Sequence, residues 1–241
     1  PTPQGALFEE FLSGYELSLF VLTNGQDYRL LPLAQDHKAL LEGGEGPNTG
    51  GMGAFAPLDI APSLFEAIEN EIVKPSVLGL KKEELYFRGV LFIGLMVTER
   101  GPKVLEYNVR FGDPETQVVL PLLDGDWADV FFKIANGEMP TLHWKRDHHV
   151  ACVVLAAEGY PEKPIKGLGI QGDLSPEKNS YILHCGTKLG SEGLQTNGGR
   201  VLNAMGSGDT KEKAIEQAYA KLSKVNWPGL HYRKDIGRAY Q

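Results

Sequence analysis

Val104-Leu105-Glu106-Tyr107-Asn108-Val109-Arg110-Phe111-Gly112-Asp113-Pro114-Glu115 is the stretch on which the reading of this chain turns. Its strict alternation predicts a strand with Leu105, Tyr107 and Val109 on one side and Glu106, Asn108 and Arg110 on the other. Side chains on one face of a strand recur roughly every 7 Å, so one row holds a carboxylate, an amide oxygen and a fixed cation. Hard oxygen ligands beside a guanidinium suit a magnesium–phosphate complex, because Mg²⁺ takes few protein oxygens and completes its shell with phosphate. The row then runs into an expected helix start: Asp113 as N-cap, Pro114 in the first turn, Glu115 behind it, with free amides that favour an anion. A solvated strand face followed by a capped helix fits the same spacing. Both readings stand at this point.

A chain of 241 residues can bury a sizeable core and predicts two domains. A boundary is expected near residues 143–149, giving units 1–143 and 144–241. With 42% hydrophobic and 23% charged residues the composition is that of a globular protein. A net charge of −7 argues against a nucleic-acid or anionic-membrane partner, while leaving room for a local phosphate pocket. The 29 glycines concentrate in loops, where they permit close approach of backbone to ligand. Cys152 and Cys185 form no metal or redox motif and fit two ordinary thiols in a reducing cytoplasm. No apolar run is long enough to span a membrane. The opening Pro1-Thr2-Pro3-Gln4-Gly5 reads as the start of a piece of something longer.

Strands are expected over 6–12, 16–23 and 28–34, the last two around a hairpin turn at Asn24-Gly25. Residues 43–53 form a glycine-dense loop. Leu64, Phe65, Ile68 and Ile72 predict a helix over 63–77 with one buried face. A second hairpin joins 90–97 to 103–109. Helices follow over 113–123 and 126–135, the latter closed by Gly137. Beyond the boundary, strands are expected over 150–156, 181–184 and 200–204. Asp209 with Glu212 predicts a capped helix on which Ala214, Ile215, Ala218 and Leu222 share a face.

Six blocks, in order, carry a family resemblance: residues 9–16 (EEFLSGYE), 34–38 (AQDHK), 46–54 (GPNTGGMGA), 108–115 (NVRFGDPE), 196–202 (TNGGRVL) and 232–237 (YRKDIG). Together they resemble the phosphoribosylamine–glycine ligases, also called glycinamide ribonucleotide synthetases, which are ATP-grasp enzymes of purine biosynthesis. The resemblance implies an α+β fold. An ATP-grasp lobe with an antiparallel sheet and flanking helices would be followed by a small mixed α/β C-terminal domain. It also implies ligation of glycine to 5-phosphoribosylamine, with ATP as co-substrate and Mg²⁺ or Mn²⁺ bound, in the cytoplasm.

Residue by residue, Glu106 and Asn108 resemble the metal ligands, and Arg110 would meet transferred or substrate phosphate. Lys38 is the second catalytic candidate. The backbone at Glu9, Glu10 and Leu12 resembles the adenine-reading hinge, and Glu16 the acid on the ribose hydroxyls. Asp36 with Pro47, Asn48, Thr49, Gly50 and Gly51 would line the glycine and phosphoribosylamine site, the glycines letting amides converge on an anion.

Two departures stand out. Ala39 follows Lys38 where the family usually has arginine, and Val109 replaces a small residue but is expected to face the core. The implied partner is the upstream half of the same enzyme, including the phosphate-covering lysines and flap, without which this C-terminal half would be inactive. Two rivals remain: another ATP-grasp carboxylate–amine ligase, which should lack the GPNTGGMGA loop, and a non-catalytic ATP-grasp-derived binding module, which should have lost Glu106 or Asn108.

Overall fold

A computed structural model describes residues 6, 8–191 and 193–238. The first part of the chain holds β1 (Tyr15–Thr23), β2 (Tyr28–Leu30), β3 (Gln35–Asp36), β4 (Gly53–Ala56), α1 (Pro62–Ile68), α2 (Lys74–Lys82), β5 (Gly89–Thr98), β6 (Gly101–Asn108), α3 (Glu115–Val119) and α4 (Trp127–Ala135). The second holds β7 (His149–Ala156), β8 (Gln171–Gly172), β9 (Ser180–His184), β10 (Thr187–Gly190), β11 (Gly193–Thr196), β12 (Arg200–Gly208), α5 (Lys211–Leu222) and β13 (Val225–Asn226).

Two antiparallel sheets dominate, with strand orders β2-β1-β5-β6 and β3-β4-β7-β12-β9. The chain crosses from one to the other at Ala34-Gln35. Ala34 still pairs with Ser18 of β1, and Gln35 already pairs with Phe55 of β4. The second sheet therefore draws two strands from before residue 143 and three from after it.

Alternation along β1 explains how the layers meet. Leu17, Leu19 and Val21 point to one side, where Ile93 and Leu95 join Ile68, Ile72, Val73 and Val77 of the helical layer. Phe20 and Leu22 point to the other, packing with Phe92 against Val118, Val119, Leu122, Val130 and Ile134, and reaching Cys152, Val154 and Met205 of the second sheet. On that sheet's far side, Ala214, Ile215, Ala218 and Leu222 of α5 cover Ala151, Val153, Leu155 and Ala204. The architecture is α+β, with α1 and α2 on one face of the first sheet and, on the other, the polar site residues beside α3, α4 and the second sheet.

Several elements differ from expectation. No strand forms over the described part of 6–12, and Leu7 lies outside the described residues. That segment holds Phe8 and Phe11 nearly fully exposed, so no core contact fixes a strand there. β2 stops at Leu30, where the register slips by one residue: Val21 pairs with Leu30 but Ser18 with Ala34, and Leu31 N still donates to Phe20 O. The helix expected over 63–77 runs on to Lys82 through a π turn at Glu69–Val73, just before Pro75, whose ring crowds the carbonyl four residues back.

Pro114, not Asp113, occupies the N-cap position of α3, with no side-chain cap bond. Asp113 instead accepts from Gln117 Nε2 at 3.0 Å. The helix is only five residues long and passes into a 3₁₀ turn at Leu120–Leu122. Asp126 does cap α4, and Gly137 closes it with φ 84°. The cap of α5 is Thr210, one residue beyond Asp209. The two-residue strands β3, β8 and β13 carry too little periodicity to be expected from the sequence.

Candidate functional site

Register across the first sheet assembles the polar face. Ser18 pairs with Gly94 and Gly94 with Glu106; Phe20 pairs with Phe92 and Phe92 with Asn108. Directly paired residues share a face, so Glu16, Ser18, Glu106 and Asn108 stand on the same side. Tyr107 points the opposite way, its hydroxyl 2.8 Å from Ser76 Oγ of α2. The expected alternation is broken at one place. A bulge between Gly94 and Leu95 leaves Leu105 as the extra residue. The strand also ends at Asn108, so Val109 does not face the core as expected; it is 72% exposed. Arg110 follows in an exposed bend, with Nη1 donating to its neighbour Phe111 O at 2.9 Å.

The Glu106 side chain lies over Gly94, where a Cβ would stand 3.1 Å from Glu106 Cγ. A carboxylate and an amide oxygen on one strand face are a hard-oxygen donor pair that fits a divalent cation shared with phosphate. Among the described residues no three or more His, Cys, Asp and Glu side chains are grouped to hold a metal by themselves. The short α3 supplies no anion site of the expected kind, since its Thr116 amide is already bonded to Gly112 O. Its Glu115 is used differently. It is 2% exposed and accepts the Ser18 hydroxyl at 2.8 Å.

A second strip comes from β3 and the loop after it. Lys38 Nζ lies 2.9 Å from Asp36 Oδ2, and the His37 amide donates to Asp36 Oδ1 at 2.6 Å. Burial, and then Glu115, raise the Asp36 carboxyl to about 7 against the pull of Lys38. Burial works against the Lys38 ammonium, but Asp36, Glu115 and Glu16 outweigh it and hold its pKa above the ordinary value. Burial also raises Glu16; Lys38 lowers it, and Glu106 and Glu115 raise it further. Glu16, Asp36, Lys38 and Asn48 line one cavity of about 220 Å³. Arg233 lines the same cavity, so carboxyl groups and cations both face it.

The glycine loop is pinned from within and from far along the chain. Thr49 gives both its amide and its hydroxyl to Lys38 O at 2.8 Å, and Leu40 N donates to Pro47 O at 3.0 Å. Gly51, at φ +113°, sits so that a Cβ would meet Pro114 Cδ at 2.5 Å and Asp36 Oδ1 at 2.7 Å. Gly50 N donates to Tyr160 Oη at 3.0 Å. Arg200 Nη1 donates to Gly50 O and to Asp113 O, each at 2.7 Å.

The 232–237 block clamps the start of the same loop. Arg233, 1% exposed, grips Asp235 with Nε at 2.8 Å and Nη2 at 2.7 Å, and gives Nη1 to Ala39 O at 3.0 Å. Asp235 Oδ2 accepts from Gly43 N at 2.8 Å. His231 Nε2 lies 3.0 Å from Leu40 O, and Gly237 N donates to His37 Nε2 at 3.2 Å. Tyr160, Arg200, Arg233 and Asp235 carry no local pattern that announces these contacts. The only hint is that three of them fall inside the 196–202 and 232–237 blocks.

The expected hinge residues lie apart from this cluster. Glu9 and Glu10 are exposed on irregular backbone, and Glu10 pairs with Arg100. Leu12 lines a cleft of about 680 Å³ with residues 13–15 and 97–100. That cleft and the Glu16–Asp36 cavity share Gly14 and Tyr15. Cys152 is buried and Cys185 reaches the surface; both are free thiols, burial holds Cys152 well above the ordinary range and partial desolvation raises Cys185 to about 11, so neither is activated.

The sequence model of the phosphoribosylglycinamide synthetase ATP-grasp (A) domain matches residues 3–116, and that of the synthetase C domain matches residues 150–239. The chain belongs to the phosphoribosylglycinamide synthetase family. A phosphoribosylamine–glycine ligase of Halalkalibacterium halodurans is 45% identical over 232 residues, covering 96% of this chain and 54% of the relative. That of Caldanaerobacter subterraneus subsp. tengcongensis is 41% identical, covering 100% of this chain and 58% of the relative. The crystal structure of the Thermotoga maritima phosphoribosylamine–glycine ligase superposes with a TM-score of 0.85 at 40% identity, over 95% of this chain and 57% of that one. The chain thus spans about half the length of these synthetase relatives. Both synthetase models fall on the segments that hold the site. The A-domain match carries Glu16, Asp36, Lys38, the glycine loop, Glu106 and Asn108, and the C-domain match carries Tyr160, Arg200 and Arg233.

Proposed function

We propose that this chain forms the metal-, phosphate- and substrate-holding part of an ATP-dependent ligase that joins glycine to 5-phosphoribosylamine, giving glycinamide ribonucleotide, ADP and phosphate. The observation that carries this reading is the GPNTGGMG loop folded against Asp36 and Lys38, beside the face that bears Glu106 and Asn108. The names of the 41–45% identical relatives support the same reaction.

Glycine carboxylate would attack the γ-phosphate, and the amine of phosphoribosylamine would then displace phosphate from the acyl carbon. Such chemistry asks the protein mainly for charge neutralisation and alignment. Glu106 and Asn108 would hold Mg²⁺ or Mn²⁺, which when bound neutralises the nucleotide phosphates. Arg110, with its planar fork, would take phosphate oxygens. Lys38, kept cationic by Asp36, would meet the anionic end of a substrate. Asp36 and residues 47–51 would align glycine and the amine. The backbone at Glu9, Glu10 and Leu12 would read adenine, and Glu16 would hold the ribose.

The full reaction would also draw on parts of the ligases that lie outside the region matched here. The two free cysteines fit a setting in a reducing cytoplasm. In the complete enzyme, ADP release should require glycine and phosphoribosylamine together. ADP release driven equally well by bicarbonate would overturn the assignment in favour of another ATP-grasp ligase.

A further inference from the structure

On the reading that residues 47–51 line the substrate site, we propose that Arg200 is a positioning residue that locks this loop to the turn after the phosphate-facing strand. Its Nη1 carries two hydrogens, and the carbonyls of Gly50 and Asp113 take both at 2.7 Å. The Asp113 carboxylate lies 3.3 Å from the same atom and balances the charge. The guanidinium also lies flat against Gly50: a Cβ there would stand 3.0 Å from Cζ, 3.1 Å from Nη2 and 3.3 Å from Nε. The opposite edge of the same glycine is held by Tyr160, whose ring in turn packs where a Cβ on Gly199 would come within 2.2 Å of it. Both polar groups of the Gly50 backbone are therefore held by residues at least 110 positions away.

Two elements meet at Arg200: the loop read as holding glycine and the amine, and the Asp113-Pro114 turn that follows Arg110. Charge-assisted bonds to two carbonyls fix their relative position more rigidly than apolar packing would. A misplacement of about 1 Å between reacting groups costs roughly 100-fold in rate, so the contact sets alignment as well as stability. Gly50 is glycine for the same reason; a side chain would push the guanidinium away.

The test uses the complete enzyme carrying this chain, with kcat and the KM values for ATP, glycine and phosphoribosylamine measured for R200Q, R200K, G50A, R200Q/G50A, Y160F and N48A. R200Q should weaken kcat/KM for glycine and phosphoribosylamine by roughly 10-fold or more while the ATP KM stays within about two-fold, and R200K should restore part of the loss. R200Q/G50A should be no worse than R200Q, because both changes break one contact. Y160F keeps the ring and removes only the acceptor for Gly50, so it should move the same parameters in the same direction even if R200Q folds poorly. Unchanged kinetics in R200Q or Y160F, a parallel rise in the ATP KM, or multiplicative losses in the double variant would overturn the proposal. N48A separates the two levels. If it impairs glycine or amine use while R200Q does not, the loop reading stands and the role of Arg200 falls; if N48A changes neither KM, both fall.

Discussion

A Cβ on Gly51 would stand 2.7 Å from Asp36 Oδ1, so the glycine loop and the buried carboxylate of β3 are fitted to each other at one backbone position. The φ of +113° there is also one that side chains rarely adopt. Gly51→Ala should therefore impair use of glycine and phosphoribosylamine strongly, while nucleotide binding, which is assigned to residues 9–16, survives. Nucleotide titration and substrate KM on one variant decide this. Equal losses in both would mean that the loop only supports the fold.

Glu106→Gln and Asn108→Leu should each lower turnover far more than they lower nucleotide affinity. Both groups sit on the face proposed for metal and phosphate, and the base is read elsewhere. A metal titration of activity checks the assignment. Wild-type turnover at limiting Mg²⁺ in either variant would remove that residue from the metal site.

Arg110→Lys should recover only part of the activity lost in Arg110→Ala. Lysine keeps the charge but not the planar fork that binds two phosphate oxygens at once. Full recovery of kcat/KM would show that net charge alone matters at this position.

Arg233→Met should destabilise the fold by about 3–5 kcal/mol, because it strands the Asp235 carboxylate and the Ala39 carbonyl without their buried cation. Urea unfolding measures this. A loss below about 1 kcal/mol would place the clamp among ordinary surface pairs.

The pH dependence should carry the mark of His37. Burial, and then Arg233, lower its pKa to about 4, so the folded state keeps the ring neutral where the unfolded chain protonates near 6.5. Its contribution to stability is complete above about 6.5 and falls as pH drops toward 4, by at most about 1.4 kcal/mol per pH unit. Asp36 acts in the opposite sense: its raised pKa makes stability fall as pH rises from about 4 to 7. Chemical unfolding of His37→Gln between pH 4 and 6.5 should show a slope shifted by the missing histidine term. An unchanged slope would mean that His37 protonates alike in both states.

What was legible in the sequence follows the range of the interactions. Glu106 and Asn108 could be placed on one face because β6 is a hairpin partner of β5 and its alternation survives beyond the bulge. The face of α5 was legible for the same local reason, and that of the first helix at Leu64, Ile68 and Ile72, but Phe65, expected on the buried face, is 38% exposed. Val109 was misplaced because nothing local marks where pairing stops. The cap at Asp113 failed because that carboxylate is taken by Gln117 and Arg200. Tyr160, Arg200 and the Arg233–Asp235 clamp act on a loop 110 to 194 residues away, and no periodicity encodes a contact of that span. Glu115 looked like a helix-start acid, yet it is the buried partner of Ser18, 97 residues distant.

In the proposed reaction glycine is activated as an acyl phosphate, and isotope transfer tests that most directly. Glycine labelled with ¹⁸O in its carboxylate, supplied with ATP and phosphoribosylamine to the complete enzyme, should pass one labelled oxygen to the phosphate released, and Glu106→Gln should abolish the transfer. Unlabelled phosphate formed alongside ADP would show that water, not glycine, attacks the nucleotide, and would contradict the ligase assignment.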